Sequence, residues 1–174
     1  KIDNRKFYKI KGRKIISIKR RSKYLLINLN QNLTILAHLG MTGKFFIVDK
    51  KNKKHKTSFY YSIKKKEFKH NHLTFYLEKG FKLIYNDVRK FGFLKLFESN
   101  TIFKCKHLKL IGPEPLTKAF NLSYIIKYFT HKKILIKNLL MDQKFVAGLG
   151  NIYCNEILFL CKINPRRIGK TIKK

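Results

Sequence analysis

Through its first hundred residues the chain alternates short apolar stretches with polar breaks. KIISIKR (14–20), KYLLINL (23–29), LTILAHL (33–39) and GKFFIV (43–48) are alternating or continuous apolar runs rich in β-branched and aromatic residues. That is the pattern of half-buried and fully buried strands. Asn30-Gln31-Asn32 and Gly40 fall between them. HLTFYLE (72–78) and FKLIYND (81–87) flank Lys79-Gly80 and predict a hairpin, and FGFLKLF (91–97) predicts a further strand. Many short strands joined by tight turns predict a β-sandwich or barrel. Residues 50–70 interrupt the series with eight lysines from Lys50 to Lys66, which predicts a mobile, solvated loop, the alternative being a loop that brushes a phosphate backbone.

After IGPEPLT (111–117) the period changes. Gly112, Pro113 and Pro115 mark a linker, and apolar positions then recur at helical spacing. Phe120, Ile125, Tyr128 and Phe129 suit one helix face, with Asn121 or Ser123 near its start. Ile134, Ile136, Leu139 and Leu140 suit a second, and Ile152, Ile157, Leu158 and Leu160 a third. The predicted fold class is α+β, a β domain followed by a small helical domain, without an internal repeat.

Charge narrows the partner. The 174 residues hold 41 Lys+Arg against 9 Asp+Glu, a formal charge of +32. Such a surplus repels itself unless it faces a polyanion, so nucleic acid leads, with RNA and DNA unseparated. Lysine outnumbers arginine 34 to 7 and Ile, Asn, Phe and Tyr are abundant, so AT-biased codon drift competes with nucleic-acid binding as the source of the excess. Cys105, Cys154 and Cys161 contain no CxxC pair, which gives neither a disulfide framework nor a zinc site. No apolar run reaches the roughly 18 residues of a membrane span.

The nine carboxylates are scattered, and no Walker, dinucleotide-binding or nucleophile-elbow motif occurs. Three stretches say more. RRSKYLL (20–26) sets Lys23 at a strand entrance beside Arg20 and Arg21, where it can grip phosphate or simply guard a strand edge. HLGMTG (38–43) is a turn presenting Met41. NDVRKFG (86–92) is a turn presenting Arg89 and Phe91 on one side. An exposed methionine and phenylalanine beside an arginine suit a wedge that fills the space a displaced base leaves, although each alone suits core packing. A fourth stretch, QKFVAGLGNIYCNEILF (143–159), has one lysine, Lys144. In it Gly148-Leu149-Gly150-Asn151 separates two predicted helices, with Asn151 suited to N-cap the second. Backbone N–H groups at such a helix start favour an anion.

Together RRSKYLL, HLGMTG, NDVRKFG, LIGPEPLT and LMDQKFVAGLGNIYCNEILF, in that order over residues 20–159, resemble the formamidopyrimidine-DNA glycosylase family. The endonuclease VIII branch, which acts on oxidised pyrimidines, shares the helical motif. DVRKFG, GPEPL and GNIY look more like the formamidopyrimidine branch. The resemblance implies an N-terminal β-sandwich over residues 1–110 without its N-terminal helix, a linker over 111–118, and a helix-two-turn-helix domain over 119–174. It implies a monomeric, cytoplasmic base-excision-repair enzyme that flips oxidised purines out of double-stranded DNA, cuts the glycosidic bond and nicks the strand by β,δ-elimination. By position, Lys23 resembles the catalytic lysine. Met41, Arg89 and Phe91 resemble the wedge, and His70, Arg89, Lys132 and Asn151 the DNA contacts.

The resemblance is incomplete. The family's N-terminal proline nucleophile is followed by glutamate, whereas this chain starts Lys1-Ile2-Asp3. The four-cysteine zinc finger and the base-reading loop would lie beyond Lys174, so this stretch holds no metal ligands and no cofactor. The expectation is a central fragment that binds DNA but is inactive by itself. The alternatives are a non-catalytic DNA-binding remnant and an RNA-binding protein explained by charge.

Overall fold

The computed structural model describes residues 4–51, 53–57 and 69–172. Contacts divide the chain into two units, one of Lys1–Lys19 and Tyr24–Ser99, the other of Arg20–Lys23 and Asn100–Lys174.

In the first unit a 3-10 turn at Asn4–Ile10 precedes eight strands: β1 (Ile15–Arg21), β2 (Tyr24–Leu29), β3 (Leu33–His38), β4 (Gly43–Val48), β5 (Lys54–Lys56), β6 (Asn71–Tyr76), β7 (Lys82–Asp87) and β8 (Phe93–Glu98). They form two four-stranded sheets, ordered β1-β2-β3-β8 and β5-β4-β7-β6. All the strands expected from period-two patterning are present, each within two residues of its expected limits. The β2–β3 hairpin pairs Ile27 with Ile35 and Leu25 with Ala37. Its turn works because Gln31 and Asn32 adopt positive φ, which asparagine tolerates better than most residues. The β6–β7 hairpin turns at Lys79 and Gly80, both also at positive φ.

One core joins the sheets. Ile27, Leu29, Ile35, Ala37 and Leu94 from the first sheet meet Phe45 and Tyr85 from the second, with Phe7 of the 3-10 turn. Burial of these apolar faces at roughly 25 cal/mol per Å² is the main favourable term for such a sandwich.

The lysine-rich stretch is less loose than its composition suggests. Lys54–Lys56 forms β5 and pairs with β4, Val48 opposite Lys54 and Ile47 opposite His55. Asp49 shapes the turn: its carboxylate accepts the N–H groups of Lys51 and Lys53 and lies 2.9 Å from His55 Nε2. Loop composition hid a strand because one aspartate supplies the turn chemistry. Residues 58–68 lie outside the described residues.

The second unit is helical, with α1 (Leu122–Phe129), α2 (Ile136–Met141) and α3 (Asn151–Leu160). Asn121 caps α1 by accepting the N–H of Tyr124. Phe145, in the turn after α2, anchors the core; the rings of Tyr128 and Phe129 lie 4.8 and 5.0 Å from it. Phe129, Ile136, Leu139, Leu140, Val146, Cys154 and Leu158 complete the cluster. Residues 112–113 are hydrogen-bonded into this unit: Gly112 N–H donates to Gln143 O, and Ala147 N–H to Pro113 O.

Three expectations need correction. The buried face of α3 is Cys154 and Leu158, whereas Ile152 and Leu160 are 75% and 76% exposed. The helix starts at a fixed place and presents the i, i+4 pair 154/158 inward, with cysteine acting as a small apolar residue. Ile134 precedes α2 rather than lying on it. Asn151 is not the N-cap of α3. Gly150 holds that position, and Asn151 is the exposed first residue of the helix.

Candidate nucleic-acid interface

Two turns of the first unit carry the exposed apolar residues that the sequence singles out. Residues 39–42 join β3 to β4 and residues 88–92 join β7 to β8. Gly40, at φ +61°, lies against Phe91 and the N–H of Gly92. A Cβ at Gly92 would collide with the Tyr85 hydroxyl and, at 2.6 Å, with the His38 carbonyl, so glycine is required for close approach. On this base Met41 stands 72% and Phe91 59% exposed. The Arg89 guanidinium lies 4.6 Å from the centre of the Phe91 ring, and its Nη1 is 3.2 Å from Met41 Sδ. Met41, Arg89 and Phe91 are thus one cluster of two apolar side chains and a cation, assembled from positions about 50 residues apart.

The base beneath this cluster is polar and buried. Asp87 Oδ1 accepts the Thr42 hydroxyl at 2.5 Å, and Oδ2 accepts the Gly92 N–H at 2.8 Å and the Tyr85 hydroxyl at 3.1 Å. Thr42 Oγ1 in turn accepts the Arg89 N–H at 3.0 Å. Burial alone would push the Asp87 carboxyl upward. The hydrogen bonds from Thr42, Gly92, Tyr85 and Arg89 outweigh it and hold the group below its ordinary value. Tyr85 moves the other way, its phenol pushed up by burial and by the neighbouring carboxylate.

The second unit builds a different site around RRSK (20–23). Glu114 Oε1 accepts the Ser22 N–H and an Arg21 N–H, each at 2.7 Å, and Oε2 accepts from Arg20 at 3.2 Å. Arg21 also donates to the carbonyls of Ile111 and Gly112. Burial raises the Glu114 carboxyl, but the Ser22 N–H and the two guanidiniums bring it below its ordinary value. Ser22, at positive φ, donates its hydroxyl to Gln143 Oε1 at 2.8 Å and accepts the Gly148 N–H at 3.0 Å. Gln143 Nε2 donates to Leu149 O. Gly148, at φ +84°, supplies the left-handed residue that this turn needs.

Those bonds set Lys23 at the start of α3. A Cβ on Gly150 would lie 3.3 Å from Lys23 Nζ, so the ammonium sits close against the glycine and any larger residue would have to push it aside. Lys23 and Asn151, both exposed, therefore flank the first N–H groups of a ten-residue helix. An ammonium beside a helix N-terminus attracts an anion. Below them the Cys154 thiol is pushed up by burial, with Lys23 and Lys137 opposing the shift.

The remaining candidates are placed separately. Lys132 follows α1, with its ammonium 4.8 Å from the centre of the Tyr128 ring and its carbonyl accepting the Lys170 N–H. His70, half-buried, directly precedes β6 in the first unit. Among the described residues no three His, Cys, Asp or Glu side chains come together to hold a metal ion, and no helix is long and apolar enough to cross a membrane. Sequence reasoning missed Asp87, Thr42, Glu114 and Gln143, the residues that hold the sites in place. The available signal was scarcity: with 9 carboxylates in 174 residues, each one tests for a structural duty.

Comparison with known proteins gives the same answer from both ends of the chain. Residues 1–94 match the formamidopyrimidine-DNA glycosylase N-terminal domain, and residues 111–174 match the H2TH domain of the same glycosylase. A formamidopyrimidine-DNA glycosylase of Bartonella quintana is 42% identical over 165 residues, covering 92% of this chain and 55% of that protein. One from Agrobacterium fabrum is 42% identical over 168 residues, covering 94% and 56%. Among solved structures, a Lactococcus lactis Fpg complexed with DNA containing an abasic site superposes with a TM-score of 0.78 at 32% identity, over 94% of this chain and 55% of that one. An inhibited form of that protein with N7-benzyl-Fapy-dG DNA gives 0.80 at 32% identity, over 96% and 57%. The chain therefore spans a little over half the length of these relatives.

Proposed function

Since the chain belongs to the formamidopyrimidine-DNA glycosylase family, we propose that it is the DNA-gripping and base-displacing part of a bifunctional repair glycosylase for oxidised purines. The observation that carries this reading is the exposed cluster of Met41, Arg89 and Phe91 on two braced turns. Extruding a base costs a few kcal/mol of stacking and pairing. Two apolar side chains that fill the vacated space, and a guanidinium that hydrogen-bonds the orphaned partner base, offset part of that cost.

Lys23 and the start of α3 take a phosphate, and Lys23 also stands as proton donor in strand elimination. Lys132, His70 and Asn151 supply further backbone contacts. The relatives are bacterial enzymes, and the Lactococcus lactis structures carry damaged DNA. The second observation supports DNA as the partner; that the protein is a monomer acting on double-stranded DNA in the cytoplasm, at the nucleoid, with residues 1–110 as the sandwich part and 119–174 as the helical DNA-binding part, belongs to the same proposal.

The test is anisotropy binding to a duplex with a tetrahydrofuran abasic site and to its undamaged counterpart. Phe91→Ala or Met41→Ala is expected to weaken lesion binding about 5- to 30-fold, the equivalent of roughly 1–2 kcal/mol, and undamaged binding about twofold or less. Equal losses on both duplexes reject the wedge.

A further inference from the structure

Both wedge turns cross from one sheet to the other, and backbone pairing brings their ends together at His38 with Phe93 and at Gly43 with Asp87 but stops short of the turn residues themselves. Residue 41 lies between β3 and β4; residues 89 and 91 lie between β7 and β8. Both turns break regular geometry, with Gly40 at φ +61° and Lys90 at φ +57°. A functional site tolerates misplacement of only about 0.5 Å, and residues 39–42 and 88–92 lie beyond the paired positions.

One carboxylate ties them. Asp87 is fully buried. Its Oδ1 holds Thr42, next to Met41, while its Oδ2 holds the N–H of Gly92, next to Phe91. Thr42 completes the link by accepting the Arg89 N–H through the oxygen that donates to Asp87. The wedge thus stands on a linked set of hydrogen bonds: the Arg89 N–H donates to Thr42, the Thr42 hydroxyl donates to Asp87, and the Gly92 N–H donates to the other oxygen of Asp87. The Tyr85 hydroxyl gives Oδ2 a second donor. A buried carboxylate with its donors satisfied is held rigidly, and it has no contact of its own to offer a ligand.

The geometry points to Asp87 and Thr42 as positioning residues for lesion discrimination: they lock the Met41 turn to the Arg89–Phe91 turn so that the three side chains act as one wedge. This rests on the wedge reading above and deepens it. An isosteric amide at residue 87 cannot do the same work. Its single oxygen can accept from Thr42 or from Gly92, and its NH2 then faces the other donor. Valine at residue 42 keeps the shape of threonine but removes both the donor to Asp87 and the acceptor for Arg89.

The experiment uses the chain with a duplex bearing a tetrahydrofuran abasic site opposite 2-aminopurine, whose fluorescence reports unstacking of the orphan base. Thr42→Val and Asp87→Asn are expected to lower the ratio of lesion to undamaged affinity at least fivefold. They should also lower the 2-aminopurine signal of the saturated complex, with undamaged binding within about twofold of wild type. Thr42→Ser, which keeps the hydroxyl, is expected to behave as wild type. A purely structural role would weaken both duplexes together and leave the fluorescence of the saturated complex unchanged. If Asp87→Asn fails to fold, the contrast between Thr42→Val and Thr42→Ser decides alone. A folded Thr42→Val with the wild-type ratio and signal overturns the inference. Phe91→Ala separates the two readings. If it leaves the ratio unchanged the wedge reading itself falls, whereas a loss with Phe91→Ala and none with Thr42→Val removes only the positioning role.

Discussion

At the scale of single residues, the informative positions are those where the chain spends a scarce group or a glycine. Gly150 is not needed for its backbone, which is extended, but for the space that Lys23 Nζ fills 3.3 Å from a would-be Cβ. Gly150→Ala should therefore leave the fold intact and displace a flexible ammonium. The expected result is an unchanged urea midpoint and an affinity for both duplexes lowered about two- to fivefold, corresponding to roughly 0.5–1 kcal/mol. Gly92→Ala is the contrasting case, because its Cβ meets the Tyr85 hydroxyl and a backbone carbonyl. Overpacking of that kind costs about 1–3 kcal/mol, read in the urea midpoint. Glu114 gives a pH signature. Its folded pKa lies below the unfolded value, so its contribution is present above the unfolded value, about 4.3, and is lost as pH falls through the folded one. Glu114→Gln should cost about 1–3 kcal/mol near pH 7, since its single amide oxygen can serve the Ser22 and Arg21 donors or the Arg20 donor but not both, and the charge facing the two guanidiniums is removed. The difference from wild type should shrink toward pH 3 in urea titrations. A difference independent of pH would show that the carboxylate charge is not what is lost.

At the scale of elements, strands and helices differ in how far the sequence exposes them. The sandwich strands were legible because alternation by two residues leaves little freedom of phase: a one-residue slip would turn the whole apolar set to solvent. The exception was β5, three residues held by Asp49 inside a lysine-rich run. α1 was legible from its cap and its apolar face together. α3 was not, because apolar residues surround it: Ile152, Phe159 and Leu160 are exposed while Cys154 and Leu158 are buried. Hydrophobicity alone cannot choose between faces of such a helix, and the start set by Gly148 and Gly150 does. The site residues that a motif exposes to solvent were readable, whereas Asp87, Thr42 and Gln143 act only through contacts spanning up to 121 residues. The phase of α3 is testable by truncation. Leu158→Ala is expected to destabilise by about 2–5 kcal/mol as a buried large-to-small change, and Leu160→Ala by about 0.5 kcal/mol or less as a surface one. Equal costs in urea denaturation would reject the assigned face.

At the scale of the whole molecule the question is what the charge of +32 does. Two causes make different predictions. If the lysine excess is a binding surface, many cations neutralise phosphate at once. The affinity should then fall with salt along a log–log slope steeper than about −10, as for proteins making ten or more phosphate contacts. If most of the excess reflects codon bias, only the held cations count. Lys23 sits over the start of α3, Arg89 over Phe91 and Lys132 over Tyr128, and three to five phosphate contacts give a slope of about −3 to −4.5. Lys9 and Lys11, exposed on the 3-10 segment and the turn after it, are the kind of lysine on which the two cases differ, and the second case gives the sharper expectation. Lys132→Ala should therefore reduce the slope by about 1, and Lys11→Ala should leave it unchanged. The measurement is anisotropy binding to undamaged duplex over a series of salt concentrations. A steep slope that declines equally with every lysine removed would mean that the diffuse charge holds the DNA, with the fixed cations left only to position the lesion.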